Sequence, residues 1–215
     1  MRHGSSTTLR VLVLGGQAVG KSAVTVRFLT RRFIGEYNST IDLVYRSAIR
    51  HDDIETDVEI LDWSSHKGDN YIPADRQMNW ADAFVIVYSI CDRSSFYWAK
   101  MLIDLIRRMP SYLPVLVIAN KRDLECHRTV DIAEGHHLAL QHGCQYYEVS
   151  AADSHVSINI AFHSLLREAK LVQQHRTPSL KRRKSSLISV SKKLGAMFGK
   201  ITKDNNEVEK KRGTI

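Results

Sequence analysis

An apolar run, Leu9-Arg10-Val11-Leu12-Val13-Leu14, stops at a glycine pair and restarts within a few residues as a segment with helical spacing. The intervening stretch, Gly15-Gly16-Gln17-Ala18-Val19-Gly20-Lys21-Ser22, has the form Gly-x-x-x-x-Gly-Lys-Ser, and Ala23 continues it into the helix. A strand, a loop of this pattern and a helix in that order point to a phosphate-binding loop, with an ordinary glycine-containing turn as the alternative. Glycines let successive backbone N–H groups close around phosphate oxygens, Lys21 neutralises charge, and the Ser22 hydroxyl can ligate magnesium. The helix turns its positive end toward the anion.

The chain has 215 residues, enough for one domain with a sizeable core and an extension. Its net charge of +8 is unevenly placed. From Lys170 to Ile215 there are 13 Lys or Arg against 3 Asp or Glu, which leaves 18 against 20 for the rest. A near-neutral body with a basic tail argues against a nucleic-acid-reading domain and for an appended electrostatic contact element. Cys91, Cys126 and Cys144 are scattered, lack metal-ligand spacing and follow no apolar leader, so free thiols in a reducing, intracellular compartment are expected. Apolar stretches are of strand length, short of the roughly 20 residues a membrane helix needs.

In chain order, helical spacing is expected over 23–30, followed by an irregular loop over 31–42. Alternating segments at 43–51 and 55–62 flank Asp52-Asp53 as a hairpin. The runs at 83–89 and 114–120 are almost wholly apolar, as parallel strands buried on both faces are. Helices are predicted over 92–108, 131–142 and 156–175, with a short strand over 145–150. The alternation implies a three-layer α/β fold, with ligands bound at the carboxyl ends of the strands.

Each predicted strand end then carries chemistry: the phosphate loop, Asp62, Asn120-Lys121-Arg122-Asp123, and Ser150-Ala151-Ala152. With these motifs residues 8–175 resemble the Ras-like small GTPases, and Val26-Arg27-Phe28-Leu29-Thr30-Arg31-Arg32-Phe33-Ile34 with the basic tail is most similar to the estrogen-regulated growth inhibitor branch. The resemblance implies a P-loop NTPase fold with a six-stranded, mostly parallel sheet flanked by helices. It implies a GTP/GDP switch with magnesium, a flexible start over 1–8, a nucleotide domain over 9–175 and a largely disordered tail over 176–215. Asn120 and Asp123 match the guanine-reading pair. In that pair the carboxylate accepts the N1 and N2 hydrogens of guanine, and adenine would leave it unpaired. Lys121 is expected to pack on the base, Phe33 to cap it, and the Ser150-Ala151-Ala152 loop to meet the guanine oxygen. Thr40, 18 residues after Ser22, matches the first-switch threonine on magnesium and the terminal phosphate. Asp62 matches the residue that holds the ion through water.

The pattern departs from the family at three places. Where the family has Asp-x-Ala-Gly-Gln, this chain has Asp62-Trp63-Ser64-Ser65-His66. Ser65 replaces the glycine that turns its N–H onto the terminal phosphate, and His66 replaces the glutamine that orients the attacking water. Gln17 and Ala18 stand in the loop where many relatives keep glycine. All three bear on hydrolysis, so slow turnover through His66, Lys21 and Thr40 is expected. A non-catalytic module with structural nucleotide or none is the alternative.

Beyond Pro178, Lys181-Arg182-Arg183-Lys184 precedes Leu187, Val190, Leu194, Met197 and Ile201, a basic amphipathic segment over 187–201. It fits an anionic membrane or a calmodulin-like groove, and equally a solvated tail. The chain ends Arg212-Gly213-Thr214-Ile215 without a cysteine after Cys144, and Arg2 occupies the position a myristoyl glycine needs, so no lipid anchor is expected. A monomer is expected in the cytoplasm, with a nuclear or peripheral membrane pool. Effectors and regulators would meet residues 33–42 and 62–80.

Overall fold

The computed structural model describes residues 8–37, 41–51, 54–64 and 72–176. Thr40, Ser65, His66 and the tail with its amphipathic segment lie outside the described residues.

Six strands form one sheet in the order β2-β3-β1-β4-β5-β6. They are β1 (Leu9–Gly15), β2 (Leu43–His51), β3 (Ile54–Asp62), β4 (Ala83–Ser89), β5 (Val115–Asn120) and β6 (Gln145–Glu148). Only the β2–β3 hairpin is antiparallel, in a register running from Leu43 opposite Asp62 to His51 opposite Ile54. The remaining neighbours pair in parallel. This is the three-layer fold that the sequence implies.

The unbroken apolar runs of β1, β4 and β5 arise because their alternate side chains feed two separate cores. Val11, Val13, Val85, Val87, Leu116 and Ile118 pack with α1 (Lys21–Thr30) and α5 (Val156–Arg176), where Phe28 stacks on Phe162 at 4.2 Å. Leu12, Leu14, Phe84, Ile86, Val115 and Val117 point the other way, toward α3 (Arg93–Arg107) and α4 (Ile132–Gln141). With both sheet faces covered, the open ground for a ligand is the row of carboxyl ends. Asp92 caps α3 by accepting from the N–H groups of Ser94 (3.0 Å) and Ser95 (3.3 Å). Glu134 reaches back to the Asp131 N–H (3.0 Å) at the start of α4.

Expected and observed limits differ by a residue or two at most ends, as frayed helix and strand ends do. α1 starts at Lys21, inside the phosphate-loop pattern, so the loop and helix are continuous. Two elements were not anticipated, α2 (Asp75–Trp80) and a 3-10 turn over Arg122–His127. Six residues give less than two helical turns, too few for an apolar period to show. Among the described residues no helix is long and apolar enough to cross a membrane.

Candidate functional site

The turn after β1 depends on two glycines. A Cβ on Gly15 would stand 2.1 Å from the Val87 carbonyl oxygen of the neighbouring strand. Gly20 has a φ of +93°, and a Cβ there would lie 2.3 Å from Asn120 Nδ2. Between them Ala18 takes a left-handed conformation at φ 55°, a strain of about 1–2 kcal/mol for a residue with a Cβ. Strained backbone of this kind persists where the surroundings over-determine it, and it concentrates at functional sites.

Lys21 curls back over the loop, its Nζ donating to the carbonyls of Gly16 (2.7 Å) and Gly15 (3.2 Å). Burial lowers the ammonium's pKa to about 8, although Asp62 pulls it upward. Asp62, only 4% exposed, is raised by burial in turn, against a hydrogen bond from Ser22 and the charge of Lys21. Both shifts have the same leading cause, and a polyanion seated in the loop would offset it for Lys21. Phosphate binding should therefore take up a proton above pH 8. Affinity for a phosphate-bearing ligand is expected to hold below pH 8 and fall as pH rises through it, because the neutral amine cannot pair with phosphate. Calorimetry at pH 8.5 in two buffers of different ionisation enthalpy checks this, and equal apparent enthalpies in both would contradict it.

Asn120, 2% exposed at the end of β5, braces both halves of the site. Its Nδ2 donates to the Val19 carbonyl (2.9 Å), and its Oδ1 accepts from the Ala151 N–H (3.1 Å). Lys121 then takes a left-handed φ of 68°, reversing the chain so that Asp123 turns back toward the strand ends. The Ser150 hydroxyl donates to Asp123 Oδ1 (2.6 Å) and accepts from the Asp153 N–H (3.1 Å).

These pieces surround one cavity of about 560 Å³, within the usual range for small-molecule and cofactor sites. Of the residues singled out from sequence, Gln17, Ala18, Gly20, Lys21, Ser22, Ala23, Phe33, Asp62, Asn120, Lys121, Asp123, Ala151 and Ala152 line it. Gly15, Val19 and Ser150 are not among its lining residues, and their backbone or hydroxyl groups support those that are. Phe33 lies at the cavity as a 46% exposed residue. Thr40, Ser65 and His66 fall outside the described residues.

Tyr37, Trp63 and Ser64 also line the cavity and were not singled out. Trp63 is 1% exposed within the α3-side core, its N–H donating to the Val13 carbonyl (3.2 Å). The Ser64 N–H donates to Asp42 Oδ1 (2.7 Å), tying the segment after β3 to the one before β2. A large aromatic immediately after a buried acidic strand end was the available sign. For a cation, the site offers a serine hydroxyl already bonded to a buried carboxylate. Such hard oxygen donors suit magnesium with most of its ligands supplied by water and phosphate. Among the described residues no group of three or more His, Cys, Asp or Glu side chains gathers for an all-protein metal cage.

The Ras family model matches residues 10–171. A Bos taurus Ras-related and estrogen-regulated growth inhibitor-like protein is 39% identical over 203 residues, covering 91% of this chain and 98% of the relative. The Homo sapiens Ras-related and estrogen-regulated growth inhibitor is 35% identical over 200 residues, covering 92% of this chain and 98% of the relative. A Danio rerio Ras-like protein family member 11B is 37% identical over 178 residues, with 79% and 73% covered. The phosphate loop, the Asn120 brace and the Asp123 turn thus sit in a sequence alike over nearly its whole length, and the chain belongs to the Ras family of small GTPases.

Proposed function

We propose that this protein binds GTP and GDP with magnesium and acts as a signalling switch whose intrinsic hydrolysis is slow. The observation that carries the reading is the shared cavity, where the phosphate loop and the Asp123 turn are joined through Asn120 to Val19. Lys21 and the loop N–H groups would pair with the phosphates, Asp123 would accept the N1 and N2 hydrogens of guanine, and the Ala151 and Ala152 backbone would face its oxygen. Lys121 and Phe33 would sandwich the base. Ser22, Thr40 and Asp62 would hold magnesium, which when bound neutralises charge developing across the β- and γ-phosphates. Fluorescent GDP displaced by GTP but not by ATP, in magnesium, tests the assignment. Equal displacement by both would overturn it.

Slow turnover rests on Ser65 and His66. Replacing Ser65→Gly and His66→Gln together is expected to raise single-turnover hydrolysis, since phosphate sensing and water orientation would both return. A stimulating partner's arginine is worth about 10³–10⁵ in this chemistry, so the doubly replaced protein should still be slow alone. A native rate that the double replacement does not improve would contradict this reading of the second switch. Regulators and effectors would then meet residues 33–42 and 62–80.

The basic tail belongs to the same proposal, as a reversible contact with anionic membrane or with a calmodulin-like protein in an otherwise cytoplasmic, monomeric molecule. Each Lys or Arg near an anionic surface adds about 1 kcal/mol. Co-sedimentation of the full chain with anionic but not neutral vesicles, weakening with salt, is the expected result. Equal binding to both vesicle types would remove the membrane contact.

A further inference from the structure

Arg27 lies on α1, beyond Lys21 and Ser22. Its Nη2 donates to the carbonyls of Ala152 (3.1 Å) and Asp153 (2.9 Å), and its Nη1 to that of Arg31 (3.1 Å) at the helix end. The Ala152–Asp153 peptide unit is therefore gripped at both ends. Its carbonyl accepts from Arg27, and its N–H donates to the Ser150 hydroxyl (3.1 Å), which donates onward to Asp123 Oδ1 (2.6 Å). A rigid peptide plane transmits orientation directly, and bonds aligned donor to acceptor polarise one another.

We propose that Arg27 is a positioning residue for base selection, setting the Asp123 carboxylate through this peptide and Ser150. The proposal rests on the guanine-nucleotide reading of the site. A planar fork with several donors can hold carbonyls of two segments at once. Through α1 the residue also ties the base loop to the helix that starts at the phosphates. Loss of the fork frees the Ala152–Asp153 peptide to rotate, Ser150 loses its fixed acceptor geometry, and Asp123 presents its oxygens less sharply to the guanine N1 and N2 hydrogens.

The test compares the full chain with its Arg27→Ala and Arg27→Lys variants, measuring GDP, IDP and magnesium pyrophosphate by thermal shift and displacement. IDP lacks the exocyclic amine, so the GDP-to-IDP affinity ratio reports how well Asp123 is aimed. Arg27→Ala is expected to bind GDP about 10- to 100-fold more weakly, the value of one hydrogen bond to a charged group. The GDP-to-IDP ratio should fall toward one while pyrophosphate still stabilises the protein. Arg27→Lys keeps the stem and charge, so it should fold even if the alanine variant does not, and should show the same ratio change in smaller degree. An unchanged ratio in the folded variants, or equal losses for GDP, IDP and pyrophosphate, would overturn the proposal and leave Arg27 a structural strut. A parent protein that binds pyrophosphate but neither GDP nor IDP would overturn the guanine reading, and this inference with it.

Discussion

Replacing Asp123→Asn is expected to weaken GDP and GTP binding by about 10²–10⁴, since two hydrogen bonds to a charged acceptor are each worth about 1.5–3 kcal/mol. The fold should be untouched, because an asparagine oxygen can still accept from the Ser150 hydroxyl that holds Oδ1 at 2.6 Å. The new amide can donate to the 2-oxo group of xanthine, so xanthosine diphosphate should bind the variant better than GDP does. Displacement assays with both nucleotides on both proteins check the inversion. A variant that keeps its preference for GDP would mean that Asp123 does not read the base.

Gly20→Ala is expected to damage nucleotide binding severely with one added methyl. At φ +93° the alanine is strained, and its Cβ would stand 2.3 Å from Asn120 Nδ2. Asn120 cannot retreat without breaking its bonds to Val19 (2.9 Å) and Ala151 (3.1 Å), both buried. Strain of about 1–2 kcal/mol and one unsatisfied buried amide at about 1–3 kcal/mol disfavour the binding-competent loop geometry, and nucleotide affinity falls with its population, by up to roughly 30- to 4,000-fold. Circular dichroism would confirm folding, and titration with fluorescent GDP gives the affinity. Parent-like affinity in the alanine variant would show that the Asn120 brace is dispensable.

The strands were legible because two-sided burial leaves an unmistakable mark. Ala83–Ser89 emerges with the limits its apolar run suggests, and the hairpin follows from alternation on either side of Asp52-Asp53. α2 was hidden by its brevity. The Arg122–His127 turn was hidden by its origin, since it follows a left-handed Lys121, a conformation that only glycine and, less often, asparagine or aspartate advertise in sequence, and it is broken by a non-helical Leu124.

In the site, the phosphate loop, Asn120 and Asp123 were legible because their chemistry is tied to short fixed spacings. Arg27 was not. Its partners are the carbonyls of Ala152 and Asp153, 125 and 126 residues away, and a backbone carbonyl carries no residue identity for a sequence to display. Trp63 was passed over for a different reason. It occupies a position that the motif leaves open, so only its near-complete burial against the α3-side core reveals what it contributes.

Guanine-nucleotide binding is tested most directly by purifying the full chain without denaturant in magnesium, releasing what it carries with acid, and identifying the nucleotide by chromatography. Close to one GDP or GTP per protein, with no adenine nucleotide, is the expected result. A preparation that carries no guanine nucleotide, and that gains no tight binding when GDP and magnesium are added, would contradict it.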